Sequence, residues 1–302
     1  MTEIKTAEAI QDETVILSLD LGKVTNRRIV ASDSENIDTE IDRKMLHVGI
    51  DLFDSKELRA CINYQQSVKY EVKKKFAMPS FLKGGMYMVK VEAIPHVEAI
   101  LVQAAANFPA VIEAFVAVLD ERREEAKVRL KGEYDESNYP DAEEVREKFR
   151  IEWSWYSVGT PDSLKKISEE FFNQEKEKHA KSLEAASDGI NSLLAAEAAK
   201  LAKHLVERLT PDEEGNQKQV RKSAVDNIKG FLETFQLRSV KTSEELQGQI
   251  AKISGLVSGV DARDLRVNDT LRATVSDGFK EVAAALDALV IAKPKRYMGG
   301  AQ

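Results

Sequence analysis

His47, His96, His179 and His204 are the only imidazoles of this chain and Cys61 its only thiol, so metal or nucleophilic chemistry would have to begin there. No two of the histidines stand at close spacing, and no HExxH run is present. A di-iron helical bundle places a glutamate three residues before an inward histidine. Those positions hold Lys176 and Leu201, so His179 and His204 both fail that pattern. Structural or surface roles are therefore expected for all four histidines, and no metal. Cys61 falls near the apolar face of a helical stretch, where a small buried hydrophobe is the expected role. Gly84-Gly85 follows Lys83 and precedes a strand-like run. A phosphate loop has the opposite order, strand before and helix after, so this pair reads as a turn. Carboxylate pairs such as Glu143-Glu144 and Glu169-Glu170 suit solvated helix faces. No active-site constellation is recognisable, so no enzyme activity, no catalytic residue and no cofactor is expected.

The basic residues form a clearer pattern. Between Ser55 and Lys90 stand Lys56, Arg59, Lys69, Lys73, Lys74, Lys75, Lys83 and Lys90 against only Glu57 and Glu71. Tyr64, Tyr70, Phe76, Phe81 and Tyr87 are interleaved, and Arg27 and Arg28 precede them. Cations with stacking aromatics suit a nucleic-acid backbone. The same residues also suit a solvated helix end or an acidic protein partner. Arg27, Arg28, Lys69, Lys73, Lys74 and Lys75 are thus the candidate patch for nucleic acid or an acidic partner. Trp153 and Trp155 alternate with polar residues, which favours packing between sheet and helices over a partner contact.

The elements that must position these residues follow from composition. The 302 residues carry 44 Lys and Arg against 51 Asp and Glu, a net charge of −7, with 43% apolar residues and few Gly or Pro. That excludes a collagen, a disulfide scaffold and a disordered tail. No window approaches about 18 uninterrupted apolar residues, so no membrane partner is expected. The first residues lack a signal-peptide core, and the cytoplasm is the expected compartment.

Along the chain, Val15, Leu17, Leu19 and Leu21 alternate as in a half-buried strand, with 23–31 as its hairpin or extension. Residues 32–44 read as a loop. Asp54 or Ser55 caps a helix to about Phe76, with Leu58, Ile62, Gln65, Val68 and Val72 near one face. A strand at 86–91 follows, then a helical run from near Pro95 that bends or restarts at Pro109 and reaches about Lys131, a hinge at 132–141, a short acidic helix and a strand at 149–158. From Thr160 no proline intervenes until Pro211, which predicts one helix of nearly fifty residues capped by Thr160-Pro161. Its apolar stripe includes Leu164, Ile167, Phe171, Leu183, Ile190, Leu194, Leu201, Leu205 and Leu209, in steps close to a coiled-coil seam. Helices near 219–238, 242–258 and 268–290 can fold back on it. The predicted fold is α+β and predominantly α-helical. A small antiparallel sheet lies in the N-terminal half, and long antiparallel helices form a bundle or coiled coil in the C-terminal half. The division is 1–158, 159–291 and an exposed tail at 292–302.

The segments FRIEWSWYSVGTPDSL (149–164), HLVERLTPDEEGNQKQVRKSAVDNIKGFLETFQLRSV (204–240) and LVSGVDARDLR (256–266) resemble a bacterial and phage family, domain of unknown function 3150. DLFDSKELRACI, MPSFLKGGMYMV and HVEAILVQAA match the same family in order, so the resemblance runs from about residue 14 to residue 291. Members are often encoded beside MoxR-type AAA+ ATPases and von Willebrand-A-type proteins. The resemblance implies an accessory or adaptor protein, plausible in a phage, with such an ATPase or von Willebrand-A-type protein as partner. It transfers no catalytic residue. Gly85-Met86-Tyr87 and Leu209-Thr210-Pro211 correspond to recurring fold determinants of the family. The leading expectation is a non-enzymatic assembly or adaptor protein, self-associating or binding a partner through a seam of Leu183, Ile190, Leu194, Leu201 and Leu205. The alternative is a nucleic-acid-binding accessory of phage recombination or replication.

Overall fold

The computed structural model describes residues 2–30, 48–80, 82 and 84–290. His47, the loop expected at 32–44 and the tail expected at 292–302 lie outside the described residues. The fold is α+β and predominantly helical. The helices are α1 (Thr2–Glu13), α2 (Lys56–Lys75), α3 (Ile94–Val116), α4 (Leu119–Leu130), α5 (Ala142–Lys148), α6 (Glu169–Leu209), α7 (Lys222–Arg238), α8 (Glu244–Val257), α9 (Asp264–Val267) and α10 (Asp269–Leu289). The strands are β1 (Thr14–Gly22), β2 (Arg27–Val30), β3 (Val48–Asp51), β4 (Ala77–Pro79), β5 (Met86–Lys90) and β6 (Arg150–Tyr156).

Four strands hydrogen-bond in the order β4-β5-β1-β6, and β2 pairs with β3 in a separate ribbon. β4 and β5 are antiparallel, with Met78 opposite Met88. The turn between them uses Gly85 at a φ of 91°, a backbone conformation that costs glycine little and other residues more. Residues 27–30 therefore do not extend β1. They pair with 48–51, a strand that four residues with a glycine among them did not announce.

By compactness the chain divides into a helical unit (Met1–Leu17, Lys75–Ile94, Trp155–Gln302) and a mixed unit (Ser18–Lys74, Pro95–Ser154). This corrects the linear cut at residue 158. The reason is packing: α1 and β4 lie against α6, far away in sequence.

In the helical unit α6 is the axis, about 60 Å long at 1.5 Å per residue. Ser168 caps it, its Oγ accepting from the Phe171 N–H at 2.9 Å. The Thr160-Pro161 start is thus corrected: residues 162–166 form a 3-10 turn before the helix begins. Ala180, Leu183, Ser187, Ile190, Leu194, Ala198, Leu205 and Leu209 are buried along it. α1, α7, α8 and α10 pack on this stripe. Ala195, Ala199 and Ala202, also buried, keep the α6 surface low where neighbours approach. At the far end, buried Arg272 of α10 donates to the carbonyls of Arg208, Leu209 and Lys218 at 2.9–3.1 Å. A cation thereby meets carbonyls that a helix C-terminus leaves without intrahelical donors.

In the mixed unit α3 runs through Pro109 and ends at Val116, so the helical run restarts after Ala117-Val118 rather than at the proline. The 91–116 stretch is long and apolar enough by composition to cross a membrane. One face of it is a buried core surface, with Val97, Leu101, Ala104, Phe108, Ile112 and Phe115 inside. Tyr64 of α2 stacks on Phe108 at 5.4 Å, and its hydroxyl donates to the Ala104 carbonyl. Buried Gln65 donates from one nitrogen to the carbonyls of Gly22 and Arg150, at 2.7 and 2.9 Å. It thereby ties α2 to the ends of β1 and β6.

Candidate functional site

A cavity of about 550 Å³ lies in the mixed unit at the start of α2. Its root is a polar clasp. Asn26 accepts from the Phe53 N–H at 2.8 Å and donates to the Phe53 carbonyl at 3.1 Å, as a strand partner would. Phe53 is then fixed edge-on to Phe115 and Tyr139, with ring centroids 5.5 and 5.1 Å away. Ser55 caps α2, its Oγ accepting from the Leu58 N–H at 3.1 Å and donating to Glu57 at 2.9 Å. This leaves Asp54, one residue earlier, at the cavity rim.

Asp54 is the point where two helices meet in charge. Arg59 of α2 reaches it at 3.2 Å and Arg129 of α4 at 2.9 Å. The Arg129 hydrogen bond, reinforced by the charges of both guanidiniums, holds the Asp54 carboxyl below its ordinary pKa. Arg122, two turns before Arg129 on α4, donates to both oxygens of Glu125 at 2.6 Å, and its own pKa is pushed up by that bond. Its Nε is buried with no hydrogen-bond partner. The floor is apolar, built from Phe53, Leu58, Ile62 and Leu130. The charged groups whose pKa shifts are resolved here move away from neutrality. The site holds charged side chains beside apolar ones.

The residues singled out in sequence fall elsewhere. Leu183, Ile190, Leu194 and Leu205 are buried at 1% exposure or less, and Leu201 packs against the same core. The seam proposed for a partner is therefore corrected. Helices of the same chain cover it, because the apolar faces of α7, α8 and α10 fold back on α6.

The basic patch is also corrected, from one site to two. Arg27 stands on β2 opposite Asp51, and the charge of Arg28 is felt by Asp135 and Tyr139, near the cavity. Lys69, Lys73, Lys74 and Lys75 occupy the last two turns of α2. The 20-residue helix puts its ends about 30 Å apart.

Cys61 is fully buried, donates to the Val111 carbonyl, and has its thiol pushed up to about 11 by burial. His179 is partly buried, which lowers its pKa. Among the described residues no group of three His, Cys, Asp or Glu side chains is placed to hold a metal ion. Trp153 is half-buried and donates to Glu98 at 2.8 Å.

Sequence reasoning missed the cavity. Asp54 is visible in sequence only as a candidate helix cap, and Arg129 only as a position in the helical run that reaches Lys131. Seventy-five residues separate them, and no spacing rule spans that distance.

No protein-family model, curated protein or solved structure matches the chain.

Proposed function

We propose that this chain is a non-enzymatic adaptor or assembly protein of the cytoplasm that binds a polypeptide partner. A MoxR-type AAA+ ATPase is the partner that the family resemblance implies. The observation that carries the reading is the cavity at Asp54: paired, permanently charged side chains surround an apolar floor, in a unit of modest size. Recognition surfaces combine these two features, whereas acid–base catalysis needs a group that titrates near the working pH. Light scattering after size exclusion, on the full chain alone and mixed with a MoxR-type ATPase or a von Willebrand-A-type protein, tests it. A complex of defined mass supports the reading. Separate elution at every concentration overturns it.

A second reading, nucleic-acid binding, is favoured by one observation. Tyr70 is 65% exposed, in the same final stretch of α2 as Lys69, Lys73 and Lys74, with the Lys74 ammonium 5.8 Å from its ring centroid. An exposed ring among cations can stack a base while the lysines meet phosphates. Titration with single- and double-stranded DNA across salt concentration tests it. Binding should weaken steeply with salt and vanish in Lys69→Glu/Lys74→Glu. Indifference to that double variant removes the reading.

A further inference from the structure

We infer that the solvent face of α2 between Asn63 and Lys74 binds single-stranded nucleic acid, with Tyr70 as the stacking platform. This rests on the nucleic-acid reading above and names the form of its ligand. Three observations lead there.

First, the face carries cations and no carboxylate. Asn63, Gln66, Ser67, Tyr70 and Lys74 are exposed and share one side of the helix, over about 16 Å. Gln65, Val68 and Val72 are buried on the opposite side. Lys69 and Lys73 border the exposed strip. Among the described residues Lys69 and Lys74 have no ion-pair partner. The one acid in this half of α2, Glu71, lies at the flank, partly buried and already engaged.

Second, Tyr70 is left open. At 65% exposure it is the most exposed ring among the described residues. Its one specific contact there is the Lys74 ammonium, 5.8 Å from the ring centroid. Tyr64, six residues earlier, is by contrast stacked on Phe108 and hydrogen-bonded to the Ala104 carbonyl. The helix dipole accounts for lysines near a C-terminus, but not for an uncovered ring among them. A base stacks on such a ring while nearby ammoniums meet the phosphates.

Third, the side-chain amides of Asn63 and Gln66 are exposed and have no hydrogen-bond partner among the described residues. Each amide offers both donors and an acceptor. Unpaired bases present both kinds of group on their edges, whereas the carboxylates of an acidic peptide use donors alone. A duplex closes its base faces and is held mainly through phosphates. The few lysines here, on a chain of net charge −7, supply that term sparsely.

The test uses fluorescein-labelled oligo(dT), oligo(rU) and a DNA duplex of equal length. Each is titrated with the full chain by anisotropy across salt concentration. A single strand should bind about tenfold more tightly than the duplex, and the tighter of the two homopolymers tells DNA from RNA. Tyr70→Ala should weaken single-strand binding about tenfold at every salt concentration, and Tyr70→Trp should restore it. Lys69→Gln/Lys74→Gln should instead flatten the salt dependence. Circular dichroism verifies that the variants fold. Equal affinity for strand and duplex, or full affinity in Tyr70→Ala, overturns the inference. The nucleic-acid reading survives that result if binding still depends on the lysines. No binding to any of the three probes at low salt overturns both. Displacement by poly-L-glutamate as readily as by unlabelled oligo(dT) also overturns the inference and assigns the face to an acidic protein.

Discussion

In the helical unit the longest apolar stripe of the chain, from Ala180 to Leu209, lies under helices of the same chain. In the mixed unit the shorter helices α2 and α4 leave a cavity rimmed by arginines and carboxylates. Both regions contain amphipathic helices, yet only one uses its pattern up internally. The difference lies in length and in the size of what fills the gap. α6 offers eleven turns of surface, and four further helices, with alanines at close approaches, can line up along it. Arg59 of α2 and Arg129 of α4 both reach Asp54, which precedes α2, and the cavity lies beside that junction. A prominent seam in sequence can therefore be the part of a protein least available to a partner.

The largest expected effect comes from attacking the buried stripe. Leu194→Glu places a carboxylate at a fully buried position and should lower stability by about 4 kcal/mol or more, read by denaturant unfolding. A loss below about 1 kcal/mol would mean that the stripe is not core, and the contrast between the units would collapse. Next is Arg272→Met, which keeps the aliphatic stem but removes the donors to the α6 C-terminal carbonyls. A cost of about 3 kcal/mol is expected, with faster amide exchange in the last turn of α6. Unchanged exchange there would show that the guanidinium does not hold that helix end.

A third test concerns the tightness of the bundle. A Cβ at Gly278 of α10 would stand 2.6 Å from Leu256 Cδ2 on α8, so Gly278→Ala sets the displacement of that flexible side chain, about 1–3 kcal/mol, against about 1 kcal/mol of gained helix propensity, and should be neutral to destabilising by about 2 kcal/mol. Any gain in stability would mean that the α8–α10 contact is looser than described.

The smallest effect belongs to the mixed unit and sharpens the contrast from the other side. Asp54 has its folded pKa lowered by Arg129 and Arg59, so its stabilising contribution is complete above its ordinary pKa. It is lost as pH falls through the lower folded value. Wild type and Asp54→Asn should therefore differ slightly near neutrality and converge in acid, and high salt should shrink the difference because the group is exposed. A carboxyl titration by NMR with no downward displacement would remove the ion triad from the account.

Much of this was legible in the residues themselves. The period-2 run at 15–21, the cap Ser55 and the proline-free stretch after 161 specify local conformation. Local sterics and capping act over a few residues and need no neighbour. The N-terminal helix escaped notice because its acidic face dominates its composition, and its cover on α6 lies about 170 residues away.

Tertiary structure alone decided three things: which neighbour covers the seam, that the basic residues form two groups, and that Arg59 and Arg129 converge on Asp54. Each is a meeting of residues distant in the chain. Hydrophobic periodicity states that a face must be buried without naming what buries it, and a charge in sequence carries no direction. Pattern determined the elements here, and packing determined which of their surfaces remained open.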